Sequence, residues 1–310
     1  MSYTAASRRP GERLPSFPRV AYACVDIGSN TTRLLVADAS DGRLRELMTQ
    51  RVYNQLGKSL ASAGVIPVDK VGETAETVAT QARHAHEYGA ERIAVVATAA
   101  IREAANRDFL TSAVEAEAGI AVRVLTGDEE ARLSFLGATK ALGAPVEGQV
   151  AVVDVGGGST EIAIGTVAGG VEWSETFRIG SGFLTDSYVR SDPPAPAELQ
   201  AVRDHVAGVF EGLAPPPVKR AVAVGGSATS LRRVVGAELA HEALERGVRI
   251  LCTTEVNEVA RRFELDARRV RLLPAGILVL EALSDTLGQP LTIGGGGLRE
   301  GVIIEMVAGP

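Results

Sequence analysis

Val25-Asp26-Ile27-Gly28-Ser29-Asn30-Thr31-Thr32 is answered 128 residues later by Val153-Asp154-Val155-Gly156-Gly157-Gly158-Ser159-Thr160. In each, a short apolar run ends in an aspartate and then breaks at glycine and hydroxyl residues. A run of this length bounded by turn residues reads as a buried strand. The spacing is about one domain length, so an internal duplication is the simplest account. Outward from the first turn, strands follow at 33–38 and 44–53, with Asp41-Gly42 as the hairpin signal between them. A helix over 69–88 is marked by Val71, Ala75, Val78, Ala82 and Ala85 at 3–4 spacing, with Gly89 as its stop. A strand at 92–97, a helix over 103–117, a strand at 121–125 and a helix over 128–142 complete the first unit. Outward from the second turn come strands at 161–167 and 171–179, helices, and a strand at 221–224. A mainly helical stretch over 228–287, a strand at 291–293 and a helix over 298–307 follow. The order βββαβαβα thus occurs twice. The fold class expected is α/β, in two lobes, 20–143 and 144–297, facing one cleft. The loop near Gly143 to Gly148 joins them, and the final helix, 298–310, packs back on the first lobe. Residues 1–19, with four arginines and three prolines, read as a disordered leader without the apolar stretch of a signal peptide.

Composition narrows the function. The chain has 310 residues and a net charge of −6, which argues against a general polyanion binder. Aromatic residues are only 4%, too few for a base-stacking nucleic-acid binder. Cys24 and Cys252 have no metal-like spacing, which points to a reducing compartment. The four histidines fit no zinc pattern. No apolar run approaches the ~20 residues that span a bilayer, so the chain is expected in the cytoplasm, without membrane or nucleic-acid partners. A two-fold homodimer is the default for the oligomer. If this protein handles phosphate, it does so by local geometry.

That geometry is readable in the two turns. Glycine permits sharp bends and close approach to a ligand, and successive N–H groups in such a turn form an anion-binding concavity. Ser29, Asn30 and Thr31 add side-chain donors, and Arg33 is either a bidentate phosphate contact or an outward structural charge. Gly156, Gly157, Gly158 and Ser159 repeat the device. Asp26 and Asp154, each ending a strand, can hold a hydrated Mg²⁺ against phosphate oxygens. Two further glycine turns, at Gly225-Gly226 and Gly294 to Gly297, precede helices; each is an anion site or tight strand-to-helix packing. Gly57-Lys58-Ser59 resembles the end of a P-loop but is set aside, because position 52 is Val and no strand-to-helix passage is expected there. Gly156 to Gly158 fails the dinucleotide-binding pattern because position 161 is Glu. Thr126-Gly127-Asp128-Glu129-Glu130-Ala131-Arg132-Leu133 opens a helix with three acidic residues, which suit its dipole. One of them could orient and deprotonate an attacking water; the residues alone leave Glu129 and Glu130 both open. Arg261, Arg262, Arg268, Arg269 and Arg271 form a basic cluster, either a solvated face or a rail for a polyanion.

Together these stretches, with Ala97 to Phe109, Val224 to Leu231 and Leu298 to Gly301, resemble the exopolyphosphatase/guanosine pentaphosphate phosphatase family of the actin-like ATPase (ribonuclease H-like) superfamily. The resemblance spans from about residue 20 to the C-terminus. It implies Glu130 as the water-activating base, and Asp154 and Glu161 as acidic residues of the magnesium and phosphate site. It makes Ser29, Asn30, Thr31, Arg33, Arg102, Gly156, Gly157, Gly158 and Ser159 phosphate contacts. Many members have Ser at Thr31, and their Arg-Leu-Gly-x-Gly-Leu stretch reads Gln55 to Leu60 here, without the arginine. The chain resembles the short, two-domain form, for which shorter substrates are expected. The leading expectation is Mg²⁺-dependent release of terminal phosphate from polyphosphate. The alternatives are 5′-hydrolysis of guanosine pentaphosphate and a non-catalytic sensor of either ligand.

Overall fold

A computed structural model describes residues 20–39, 43–143 and 146–309. The expected leader, the Asp41-Gly42 turn and residues 144–145 of the joining loop lie outside them. β1 (Ala21–Ile27), β2 (Thr31–Asp38) and β3 (Arg45–Tyr53) form an antiparallel meander. α1 (Leu56–Ala63) and α2 (Val68–Glu87) lead to β4 (Ala90–Ala97), parallel to β1. α3 (Ala99–Glu103) and α4 (Arg107–Ala118) lead to β5 (Val122–Val124), parallel to β4, and α5 (Gly127–Ala141) follows. The sheet order is β3-β2-β1-β4-β5.

The second unit repeats the scheme. β6 (Val150–Val155), β7 (Thr160–Thr166) and β8 (Gly170–Phe177) form its meander, followed by α6 (Ser181–Tyr188) and α7 (Pro196–Val209). β9 (Arg220–Val224) runs parallel to β6 and passes into α8 (Gly225–Val235). Then come β10 (Glu238–Leu239), α9 (His241–Thr253), α10 (Val256–Phe263), α11 (Ala267–Val270) and α12 (Leu273–Leu287). β11 (Leu291–Ile293) lies parallel to β9, and α13 (Leu298–Ala308) ends the fold. The order is β10-β11-β9-β6-β7-β8. Laid on each other, β1 matches β6 and β4 matches β9, so both aspartate-ended strands sit at the middle of their sheets. β1 and β6 are buried on both faces, which is why they read as continuous apolar runs, whereas β3 and β8 at the edges are half exposed.

Three local differences from the sequence reading have clear causes. The helix expected over 103–117 begins only at Arg107, as α4, and a separate short helix, α3, precedes it. Asn106 lies between them, where its side chain accepts from Ile66 N–H and donates to Ile66 O, each at 2.8 Å. α1 was unforeseen; it starts after Gln55, a left-handed residue at φ 55°. β3 therefore does pass into a helix near Gly57-Lys58-Ser59, and Val52 alone rejects the P-loop reading. The two-residue β10 interrupts the helical stretch expected over 228–287.

The last helix of each unit crosses to the other sheet. Ala131, Phe135 and Ala138 of α5 pack on Val150, Val152, Ala163, Val222 and Val224 of the second sheet. Leu298, Val302 and Ile303 of α13 pack with Cys24, Leu35, Ala37 and Val96 of the first. The two helices cross closely: a Cβ on Gly137 would strike Gly297 O, and one on Gly301 would strike Leu133 O. The fourth glycine turn is therefore a packing turn rather than an anion site. Its Gly294 N–H donates to Ala223 O and its Gly297 N–H to Glu300, both at 2.9 Å. No helix among the described residues is long and apolar enough to cross a membrane.

Candidate active site

The two aspartate-ended turns are built alike. Gly28 N–H donates to Thr31 O and Gly156 N–H to Ser159 O, each at 3.0 Å. They meet across the cleft with little space between them. A Cβ built on Gly158 would stand 2.5 Å from Ser29 Oγ, and one on Gly157 2.5 Å from Asn30 Nδ2. The glycines of the second turn thus make room for the side chains of the first. The carbonyls of the second turn are held by α6: Ser181 N–H donates to Gly156 O, and Gly182 and Phe183 N–H to Gly157 O, all at 2.9 Å.

Between the turns lies a cavity of about 50 Å³, roughly a third of the ~150 Å³ that accommodates a benzene ring. Asp26, Gly28, Ser29, Asn30, Thr31 and Arg33 line it from the first sheet, and Asp154, Gly156, Gly157, Gly158, Ser159 and Glu161 from the second. α5 contributes Glu130. Eleven of the sequence-expected phosphate or metal residues and the expected base therefore share one cavity. Arg102 stands behind it instead, donating to Leu125 O at 2.7 Å and to Glu130 Oε2 at 3.2 Å.

The structure separates Glu129 from Glu130. Thr126 and Glu129 form a capping box at the start of α5, and Glu129 also pairs with Arg123 at 2.7 Å on the surface. Glu130 is buried. Burial raises its carboxyl to about 8; Asp154 and Asp26 push the same way, and Arg102 opposes them. Burial also holds Glu161 well above the usual carboxylate range, with Glu130 and Asp154 adding to it. Asp154 is raised by burial too, against the pull of Arg33 and of Ser134, whose hydroxyl donates to Asp154 Oδ2 at 3.0 Å. Ser134 lies one turn after Glu130, so one face of α5 serves both carboxylates.

Arg33 points inward, its Nη2 donating to Asp26 Oδ2 at 2.9 Å. Its burial works against the charge, but Asp26 and Asp154 hold its pKa above the ordinary value. The pairing leaves Asp26 Oδ1 without a partner, as is Glu161 Oε1, among the described residues. Both are buried carboxylate oxygens on cavity-lining residues, and they suit a hard cation. No preformed cluster of three or more His, Cys, Asp or Glu side chains exists among the described residues.

Thr98, Val155, Gly226, Arg269 and Leu298 complete the lining. Arg269 divides the basic cluster. It is 6% exposed, its guanidinium lies against Gly226, and its Nε has no partner among the described residues. Burial lowers its pKa to about 10, and Arg51 and Arg33 add to that. The third glycine turn thus reaches the cavity. Arg268 instead stacks over the Tyr53 ring at 3.9 Å and pairs with Asp266, while Arg261, Arg262 and Arg271 are exposed.

Residues 35–309 match the sequence profile of the Ppx/GppA phosphatase family. The chain belongs to that family. It is 29% identical to exopolyphosphatase 2 of Mycobacterium tuberculosis, over 92% of this chain and 98% of that protein. It is 26% identical to the guanosine-5′-triphosphate,3′-diphosphate pyrophosphatase of Photobacterium profundum, over 96% of this chain but 61% of that longer protein. Among solved structures, the Ppx/GppA family member of Aquifex aeolicus superposes with a TM-score of 0.79 at 28% identity, covering 93% of this chain and 98% of that one. An exopolyphosphatase from Cytophaga hutchinsonii gives 0.82 over 93% and 98%, at 22% identity, a likeness of fold. The duplicated lobes are those of the actin-like ATPase fold expected from the sequence.

Proposed function

We propose that this Ppx/GppA protein is an exopolyphosphatase that releases terminal orthophosphate from inorganic polyphosphate in the cytoplasm, using Mg²⁺. The observation that carries the reading is Glu130: a buried carboxylate held by Arg102 in the same cavity as both phosphate turns. The turns grip the terminal phosphoryl group from both sides, and Arg33 and Arg269 offer it positive charge. Glu130 accepts a proton from the attacking water. As the new P–O bond forms, the bond to the bridging oxygen breaks, and the shortened chain leaves with that oxygen. Positioning and charge stabilisation supply most of the rate in such transfers, and a placed base adds about 10²–10⁴-fold.

Asp26, Asp154 and Glu161 are the residues that would hold Mg²⁺. Two orphaned oxygens rather than a closed cage suit an ion bound through one or two carboxylates, waters and substrate phosphate. When bound, Mg²⁺ supplies charge neutralisation at the phosphate oxygens. The raised pKa values of Glu130, Asp154 and Glu161 support the same reading, since these carboxylates cannot all ionise in so dry a site without added positive charge.

The test is phosphate release from polyphosphate with Mg²⁺, comparing wild type with Glu130→Gln. Equal slow release by both would overturn the mechanism. The Photobacterium relative's name favours a second reading, 5′-phosphate removal from guanosine pentaphosphate by the same residues. Rates on the two substrates side by side decide between them. Tight binding of either without turnover under any divalent ion would make the protein a sensor.

A further inference from the structure

The first phosphate turn closes on its own Gly28-to-Thr31 bond, but its carbonyls are held from outside. The carbonyls of Gly28, Ser29 and Asn30 are all claimed by the segment that follows β3. Asn54 Nδ2 donates to Gly28 O at 3.0 Å, and Gly57 N–H donates to Ser29 O at 2.7 Å. Asn54 and Gln55 N–H both donate to Asn30 O, at 3.1 and 3.3 Å. In a planar trans peptide, a carbonyl and the following N–H point in opposite directions. Fixing these three carboxamide oxygens toward the 54–57 segment therefore turns the N–H groups of Ser29, Asn30 and Thr31 the other way. Three N–H groups aimed alike make an anion concavity, and these residues line the cavity.

Asn54 is the one side chain in this arrangement. It is buried, and its Nδ2 also donates to Thr32 Oγ1 at 3.1 Å. Its Oδ1 has no partner among the described residues. A buried amide with an unmatched acceptor is a poor filler, because an apolar side chain would occupy the space without that cost. Gln55 next to it is held in the left-handed region, φ 55° and ψ 35°, rare for such a residue. That geometry lets two successive N–H groups reach one oxygen. Both features disfavour folding and both serve the turn.

We infer that Asn54 is a positioning residue for phosphate binding: by fixing the Gly28 and Thr32 ends of the first turn, it aims the turn's N–H groups at the substrate. The inference rests on the reading of that turn as a phosphate site. The test compares wild type with Asn54→Asp, which keeps the shape but turns the donor into an acceptor, and with Asn54→Ser should the first variant fail to fold. KM for polyphosphate is expected to rise on the order of ten- to a hundredfold, the loss of one or two buried hydrogen bonds, with kcat little changed. Amide exchange in the 28–32 peptide is expected to accelerate, while exchange in 156–160 stays as in wild type. An unchanged KM with a lowered melting temperature, or unchanged exchange at 28–32, overturns the inference. If wild type neither binds nor cleaves polyphosphate, the functional reading fails, and the exchange measurement alone decides whether Asn54 sets the turn.

Discussion

Replacing Arg102 by glutamine removes the charge that stands 3.2 Å from Glu130 Oε2. Burial holds Glu130 at about 8, and Arg102 is the strongest influence keeping it from rising further. An opposite charge this close lowers a carboxyl by about 1–3 units. Arg102 is 21% exposed, so solvent screens part of its field and the lower end applies. The variant's Glu130 should therefore titrate higher than in wild type. The base works deprotonated, so the rate rises with pH through this pKa. Near neutral pH a smaller fraction of the base is then ionised in Arg102→Gln than in wild type. kcat/KM at pH 7 should fall roughly tenfold, the lower end of what an opposite charge at this distance supplies. The assay is phosphate release at substrate well below KM, from about pH 6 to 10, where kcat/KM reports the free enzyme. The expected result is a rising limb displaced to alkaline pH, with activity recovered at its top. A loss by the same factor at every pH would show instead that Arg102 serves the substrate rather than the base.

Glu130→Gln should cut turnover about 10²–10⁴-fold and stabilise the fold in a pH-dependent way. The carboxyl is raised in the fold from 4.5 to about 8, so the unfolded chain binds fewer protons between those values and wild-type stability falls as pH rises. The variant's melting temperature should match wild type near pH 5 and exceed it by several degrees near pH 8; an equal offset at both would contradict the assignment. Gly158→Ala places a Cβ 2.5 Å from Ser29 Oγ and should cut kcat/KM on the order of tenfold by parting the turns. Adding Ser29→Gly should recover part of the loss, and a double-mutant cycle without coupling would exclude this contact as the cause. Ser134→Ala frees Asp154 Oδ2 and should raise the Mg²⁺ concentration for half activity roughly tenfold, the value of one hydrogen bond to a charged group. An unmoved Mg²⁺ titration would show that Ser134 does not hold Asp154.

The parts of this site that lie on strand ends were legible because they are local. Asp26 and Asp154 close apolar runs, and the glycines after them announce turns whatever surrounds them. Glu130 was separable from Glu129 by a signal that went unused. Thr126 three residues before Glu129 is a capping-box pattern, which commits Glu129 to the helix start and frees Glu130 for the interior. Arg269 was not legible. α11 has only four residues, and which of its arginines turns inward is decided by packing against Gly226 on another helix. Asn54 was hidden for a similar reason: its partners lie 22 and 26 residues back, and β3 pairing brings them together. The fourth glycine turn was read as an anion site or as packing, and only the crossing of α5 and α13 decides for packing.

That crossing has a consequence for how the protein is made. A ribosome releases the first sheet long before α13, so the face formed by Cys24, Leu35, Ala37 and Val96 waits for its cover until α13 emerges. The second sheet receives α5 from upstream and meets no such delay. The amino-terminal unit is thus the last to be finished although it is the first to be synthesised. Separately expressed halves cut near residues 144–145 would each carry the other's missing helix, and would complete their cores only by associating.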